Sequence, residues 1–274
     1  RFRTIQHSTV QIDLGAITHN CTVIRNHIGK ECRLCAVVKA DGYGLGAARV
    51  SSVLAHHAQM LAVYSPDEAG ELLSAGINSP LLVLAPLYSI DRYHPMFQGF
   101  ASKQLHLVLH GREHLKSILT IADFVKTPLN VHLKIDTGLH RGGCQVENAH
   151  ELIEQVVQEK RLRLTGVFTH FVSAVHDESL TQLQHDRLNQ VIRGLSSPLP
   201  KNCIVHEANT AAMVQWDWAH LDMVRVGLAW TGAVPKGVET LNGLLPVVAW
   251  RTRLAHVKDV VAGERVGYSG KWMS

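Results

Sequence analysis

Lys39 closes the run Ala36-Val37-Val38-Lys39 and opens the glycine-rich turn Ala40-Asp41-Gly42-Tyr43-Gly44. The apolar segment before it, Cys35-Ala36-Val37-Val38, offers nothing to solvate an ammonium group. Poor solvation lowers the pKa of an amine, and the neutral amine is the form that condenses with an aldehyde. Glycines beside it let a backbone or a bound molecule come close. A lysine that snorkels outward at a strand end is the plain alternative.

Other reactive groups stand at the ends of similar apolar runs. Lys134 and Asp136 end one, with Arg141 a short turn later. His170 ends the next, His206 with Asn209 and Thr210 follows another, and Arg225 with Gly227 ends the last. Each has an ordinary reading of its own: Thr210 as a helix cap, His170 as a core histidine, Arg225 as an ion-pair partner of Asp222. Their joint placement is what points to a site.

The elements that must position these groups alternate. Strand-like runs are expected at Cys32–Lys39, Met60–Tyr64, Leu81–Ala85, Leu105–Leu109, Asn130–Asp136, Leu162–His170, Cys203–Glu207 and Asp222–Val226. Helical spacing marks Gly46–His57, Glu147–Gln158 and Leu180–Arg193. A further helix starts at Ser65-Pro66-Asp67-Glu68, a serine cap with proline at the first helical position and glutamate at the third, and stops at Gly76. Eight strands alternating with helices predict an α/β fold, an N-terminal (β/α)8 TIM-like barrel over residues 10–235. An open doubly wound sheet is the alternative. After Pro235, Leu245–Trp250, Thr252–Val257 and Arg265–Tyr268 read as strands without helices between them. Residues 236–274 are therefore expected to begin a C-terminal all-β domain that this chain does not complete.

Barrel chemistry sits at the C-terminal ends of the strands, where the polar groups above fall. The loops after strands seven and eight often hold a phosphate. Here they supply the helix start Asn209-Thr210-Ala211-Ala212 and the pair Val226-Gly227, whose N–H groups suit a phosphate dianion. An imine-forming lysine across the barrel mouth from a phosphate site points to pyridoxal 5'-phosphate.

Composition excludes several classes. The chain has 274 residues, 46% hydrophobic, with a net charge of +4 and a pI of about 8.8. Lysine and arginine form no block that would track nucleic acid, so the excess suits a small anion. No apolar run approaches the ~18 residues of a membrane span. No signal peptide is evident, and a chain starting at Arg1 without Met is expected to have an upstream segment either removed or left unseen. Five irregularly spaced cysteines predict reduced thiols and a cytoplasmic setting. A single Cys32-Arg33-Leu34-Cys35 and the absence of H-E-x-x-H argue against a metal site.

The ordered motifs resemble those of the alanine racemases, a family of fold-type III pyridoxal-phosphate enzymes. They are Val37-Val38-Lys39-Ala40-Asp41-Gly42-Tyr43-Gly44, the stretch His132 to Arg141, Thr169-His170-Phe171, the stretch His206 to Ala212, Asp222 to Gly227, and Val266-Gly267-Tyr268. The resemblance implies a homodimer, head to tail with shared active sites, and racemisation of alanine, with serine the nearest alternative. It implies that Lys39 holds the cofactor and acts as one base, and that Tyr268, from the other subunit, is the second. Tyr43, Thr210 and Gly227, beside Asn209, would bind the phosphate. Arg225 would bond the pyridine nitrogen, with His206 supporting it. His170 would lie against the cofactor ring, and Arg141 would reach the substrate carboxylate. Lys134 matches a position carbamylated in some members.

Some positions depart from the family pattern. Leu45 stands where histidine is usual, Trp230-Thr231 replaces a hydrophobic-Tyr pair, Gly142-Gly143 opens the turn after Arg141, and Val175 replaces an acidic residue. A protein that binds pyridoxal phosphate without turnover is the alternative from outside the enzymes, and a related decarboxylase is the alternative among them.

Overall fold

The computed structural model describes residues 8–238 and 241–274. Eight parallel strands frame the larger unit: Arg33–Val37, Met60–Val63, Leu81–Val83 and Leu105–Leu109 are strands one to four. Leu129–Asp136, Leu162–Phe168, Ile204–His206 and Met223–Val226 are strands five to eight. Each pairs with the next through strand seven, and strand eight pairs with strand one, Val224 opposite Leu34. Between strands seven and eight, the Asp222 N–H donates to the Val205 carbonyl at 3.1 Å, and the Arg225 N–H to the Ala208 carbonyl at 2.9 Å. The sheet therefore curls into a barrel, and the open-sheet alternative falls.

The interior follows the two-residue period of strands. Cys35 and Val37, Met60 and Ala62, Leu82, Val108, Phe168, Ile204 and Met223 form one buried cluster. Residues between them face the surrounding helices. Ser65 caps the helix Pro66–Ser74 as expected, accepting from the Glu68 N–H at 3.2 Å. The expected strand ends at Lys39 and His170 are shorter, because the chain turns after Val37 and Phe168 to deliver those side chains. The helices Leu14–Ile28 and Arg112–Val125 lie outside the sequence-based expectation. The second follows Gly111 with no side-chain cap, and the first is rich in weak helix formers such as Thr18, His19, Asn20 and Val23.

The chain divides at Asp13/Leu14 and at Val247/Val248, against expected bounds of 10 and 235. Residues 241–247 stay with the barrel unit because the buried Asn20 amide holds them. It donates to the Leu245 carbonyl at 2.8 Å and accepts from the Leu245 N–H at 2.7 Å. In the smaller unit, Ser8–Ile12 pairs antiparallel with Val248–Thr252, and Arg265–Val266 with Trp272–Met273. The expected strand Thr252–Val257 does not form beyond Thr252, which ends the strand paired with Ser8–Ile12. Tyr268 leaves its expected strand for the turn Tyr268–Gly270. Among the described residues no helix is long and apolar enough to cross a membrane.

Candidate active site

The turn after strand one is left-handed. Ala40, Asp41, Gly42 and Tyr43 have φ of 53, 52, 62 and 58°. Each non-glycine residue held there costs roughly 1–2 kcal/mol, so partners elsewhere must hold the turn. The Ala40 N–H donates to Glu68 Oε1 at 2.8 Å. The other Glu68 oxygen accepts from the Tyr64 N–H at 2.6 Å and the Ser65 N–H at 3.3 Å. One carboxylate thus ties the first loop to the second. Asp41 Oδ1 accepts from the Ala47 N–H at 2.7 Å. At Gly42 a side chain is barred twice, by its φ and by Val50, whose Cγ2 would lie 2.9 Å from a Cβ.

The turn leaves Lys39 half-buried at the rim of a cavity of about 830 Å³ and swings Tyr43 across to strand eight. There the Tyr43 hydroxyl rests on Gly227, where a Cβ would stand 2.0 Å from it. Trp230 backs this contact: its ring centroid lies 6.0 Å from that of Tyr43, and its Nε1–H donates to the Val37 carbonyl at 2.9 Å. The Gly227 N–H donates to Thr210 Oγ1 at 3.3 Å. Asn209 caps the short helix Thr210–Gln215, accepting from the Ala212 N–H at 3.1 Å.

The charges in the cavity are of one sign. Lys39, Lys134, Arg141 and Arg225 line it, and no aspartate or glutamate is among its described lining residues. Such a lining favours a ligand with more than one anionic group.

Arg225 crosses the floor and is buried. It donates to His206 Nδ1 at 2.7 Å, to the carbonyls of Thr169 at 2.8 Å and Glu207 at 3.1 Å, and to His170 Nδ1 at 3.2 Å. Its guanidinium lies 5.0 Å over the Phe168 ring. Burial pulls it down to about 10, so it remains cationic at neutral pH. The ion pair with Asp222 does not form; that carboxylate accepts from the Val205 N–H at 2.7 Å. Arginine can only donate, so His170 accepts at Nδ1 and carries its proton on Nε2. Burial, then the charges of Arg225, Arg141, Lys134 and Lys39, hold His170 well below the usual histidine range. Lys134 donates to the Arg141 carbonyl at 2.5 Å. Burial, then the Arg141 charge, brings its ammonium down to about 8.

Nine residues expected at the site thus line one cavity: Lys39, Tyr43, Lys134, Arg141, His170, Asn209, Thr210, Arg225 and Gly227. His206 lies beneath the floor against Arg225. Tyr268 belongs to the smaller unit, where its side chain is fully exposed. Sequence reasoning gave no function to Glu68 beyond its cap and none to Trp230 beyond a departure. That departure was the signal, since a tryptophan 1% exposed beside a site needs a partner for its N–H.

Comparison with known proteins places this arrangement. The family described as alanine racemase, N-terminal domain, matches residues 12–235. The chain is 36% identical over 265 residues to alanine racemase 2 of Oceanobacillus iheyensis, covering 94% of this chain and 65% of that protein. It is 33% identical over 272 residues to the alanine racemase of Hahella chejuensis, covering 97% and 71%. The crystal structure of the alanine racemase of D-cycloserine-producing Streptomyces lavendulae superposes with a TM-score of 0.84 at 29% identity, covering 99% of this chain and 72% of that one. This chain therefore spans about two thirds of the length of the relatives it matches.

Proposed function

The chain belongs to the alanine racemase family, and from that premise we propose that it interconverts L- and D-alanine with pyridoxal 5'-phosphate. One observation carries the reading: Lys39 stands at the mouth of a barrel cavity lined by four cationic side chains and, among the described residues, no carboxylate. A phosphate and an amino-acid carboxylate are the two anions such a lining would hold. The relatives are named as racemases, and nothing in them favours the carrier without turnover or the decarboxylase.

The residues present fit the cofactor. Gly227 and Thr210, with the Tyr43 hydroxyl, would hold the phosphate, in the space that a side chain at Gly227 would close. Arg225 would meet the pyridine nitrogen, and His170 the ring. When bound, pyridoxal phosphate supplies an electrophilic aldehyde and a ring that takes up the electron pair left at the α-carbon. Racemisation removes a proton from one face of that carbon and returns one on the other, so two bases must flank it. Lys39 is the base on one face, and the partner subunit's Tyr268 the base on the other. Arg225, anchored by four acceptors, keeps its own protons and donates no more than hydrogen bonds. Arg141 would bind the substrate carboxylate. The lowered pKa of Lys134, against the Arg141 carbonyl, gives the neutral amine that a carbamate requires. The protein acts as a homodimer. Its setting is the cytoplasm, a reading supported by the five cysteines, all free thiols.

Borohydride added to the full-length protein with pyridoxal phosphate should fix the label on Lys39, and the untreated protein should exchange the α-proton of D- and L-alanine in deuterated water. A peptide map with the label on Lys134 or Lys258, or exchange with serine and none with alanine, would sink the assignment.

Gly227→Ala drives a Cβ into the Tyr43 hydroxyl. Losing one hydrogen bond to a charged group, worth ~1.5–3 kcal/mol, should weaken pyridoxal phosphate binding at least ~10-fold. Fluorescence titration of the cofactor-free variant measures this, and unchanged affinity would remove Tyr43 from the phosphate site.

A further inference from the structure

The hydrogen bonds of Arg225 continue past His206 into the barrel. His206 Nε2 lies 2.9 Å from His132 Nδ1, and both rings are fully buried. Burial, first of all, holds both well below the usual histidine range, so both are neutral. The protons can then be placed in only one way. Arg225 donates to His206 Nδ1, so that nitrogen carries a lone pair. His206 must bear its proton on Nε2 and donate it to His132 Nδ1. His132 keeps its own proton on Nε2, which has no hydrogen-bond partner. Its ring instead packs edge-on against His106, centroids 5.1 Å apart at 89°. His106 Nδ1 is fixed in turn by Thr165 Oγ1 at 2.9 Å.

The backbone is shaped around this line. The pairing of strands five and six slips between Val131 and His132, which sets Gly166 opposite His132. A Cβ on Gly166 would lie 2.4 Å from His132 Nδ1. The bulge and the glycine together make room for the ring at its accepting nitrogen. A buried histidine with one nitrogen unsatisfied is a cost, and its other nitrogen makes a single bond, to His206.

We propose that His132 is a positioning residue for Arg225: by accepting the Nε2 proton of His206 it fixes the His206 tautomer, and so keeps the His206 Nδ1 lone pair on the guanidinium. The inference rests on the proposed function only in that Arg225 would meet the cofactor ring. Without the acceptor, His206 can move its proton to Nδ1, where it meets an arginine N–H and repels it.

The test uses full-length protein with ¹⁵N-labelled histidine, with and without pyridoxal phosphate. Wild-type His206 should show its proton on Nε2 in both states. His132→Leu should lose that pure tautomer. Its kcat should fall ~10-fold, the equivalent of one lost hydrogen bond, with KM for alanine unchanged. His132→Gln, whose amide oxygen can accept, should keep the tautomer and recover most of kcat. A wild-type His206 protonated on Nδ1 overturns the proposal without any variant. So does His132→Leu with the tautomer and kcat intact, or His132→Gln no better than leucine, since either outcome reduces His132 to packing. The tautomer is read without substrate, so a protein that shows it but does not racemise would refute the function and leave the positioning intact.

Discussion

Lys39→Ala and Tyr268→Phe proteins, each nearly inactive alone, should recover about a quarter of wild-type racemisation when mixed in equal amounts and allowed to exchange subunits. Losing a general base commonly costs ~10²–10⁴ in rate, so each variant homodimer should fall by that much. If each site takes Lys39 from one chain and Tyr268 from its partner, a mixed dimer has one doubly damaged site and one intact site. Random pairing makes about half the dimers mixed, each with one good site of two. The experiment needs the full-length protein, and exchange is checked with differently tagged chains. Exchange without recovered activity would show that the tyrosine is not shared between subunits. A fully active Tyr268→Phe homodimer would remove it as a base, whatever the assembly.

The second large effect is on stability in acid. His106 and His110 are held down to about 4, chiefly by burial. Burial also lowers His114, and holds His132, His170 and His206 well below the usual range. In the unfolded chain these groups take up protons below about 6.5, whereas in the folded chain they stay neutral. Their contribution to stability is complete above the unfolded value and is lost as pH falls toward the folded one. Each group in that window removes ~1.4 kcal/mol per pH unit, so His106 and His110 together remove up to ~3 kcal/mol per unit, and the other four act in the same direction. Glu207, raised by burial, acts in the opposite direction but is a single group. Since domains have ~5–15 kcal/mol of stability in all, a large share of it should be lost within about two pH units below 6.5. Urea midpoints followed by circular dichroism from pH 7.5 to 4.5 test this. A midpoint that stays level from pH 7 to 5 would show that the buried histidines find counter-charges on protonation.

The barrel was legible because its signals are local. Val37 and Cys35, or Met60 and Ala62, alternate inward within a few residues, and the runs before Lys39, His170 and His206 end at polar groups that line or underlie the cavity. The candidate site was legible for the same reason: Lys39, Arg141, Thr210 and Arg225 each stand at a strand end or one turn beyond, and all four line one cavity. What was not legible depends on distant partners. Nothing near Ala40 and Asp41 announces positive φ; the carboxylate that stabilises it is on Glu68, in another loop. Trp230 finds its acceptor at Val37, on the opposite end of the chain's barrel segment. The strand Ser8–Ile12 pairs with a segment some 240 residues later, Val248–Thr252, so neither composition nor periodicity reveals the match. His132 stood inside a recognised motif, yet only the approach of His206 and Gly166 gives its nitrogens distinct tasks.

The left-handed turn also bears on when the site comes into being. Three of its four residues are not glycine, and at ~1–2 kcal/mol each they oppose the turn by about as much as its local hydrogen bonds, from Gly42 N–H to Val38, Gly46 N–H to Asp41 and Ala47 N–H to Asp41 Oδ1, can offset at ~0.5–1.5 kcal/mol each. The nascent segment around Lys39 therefore gains little net stability from the shape by itself. Glu68 must first arrive on a formed second strand and its following helix, which requires closing a loop from Ala40 to Glu68. Strand one and its lysine are synthesised early, but the Glu68 bond that braces the turn forms only when the second β/α unit has docked. Until then the amine belongs to an ordinary flexible chain, and its place at the cavity rim is set by folding rather than by translation.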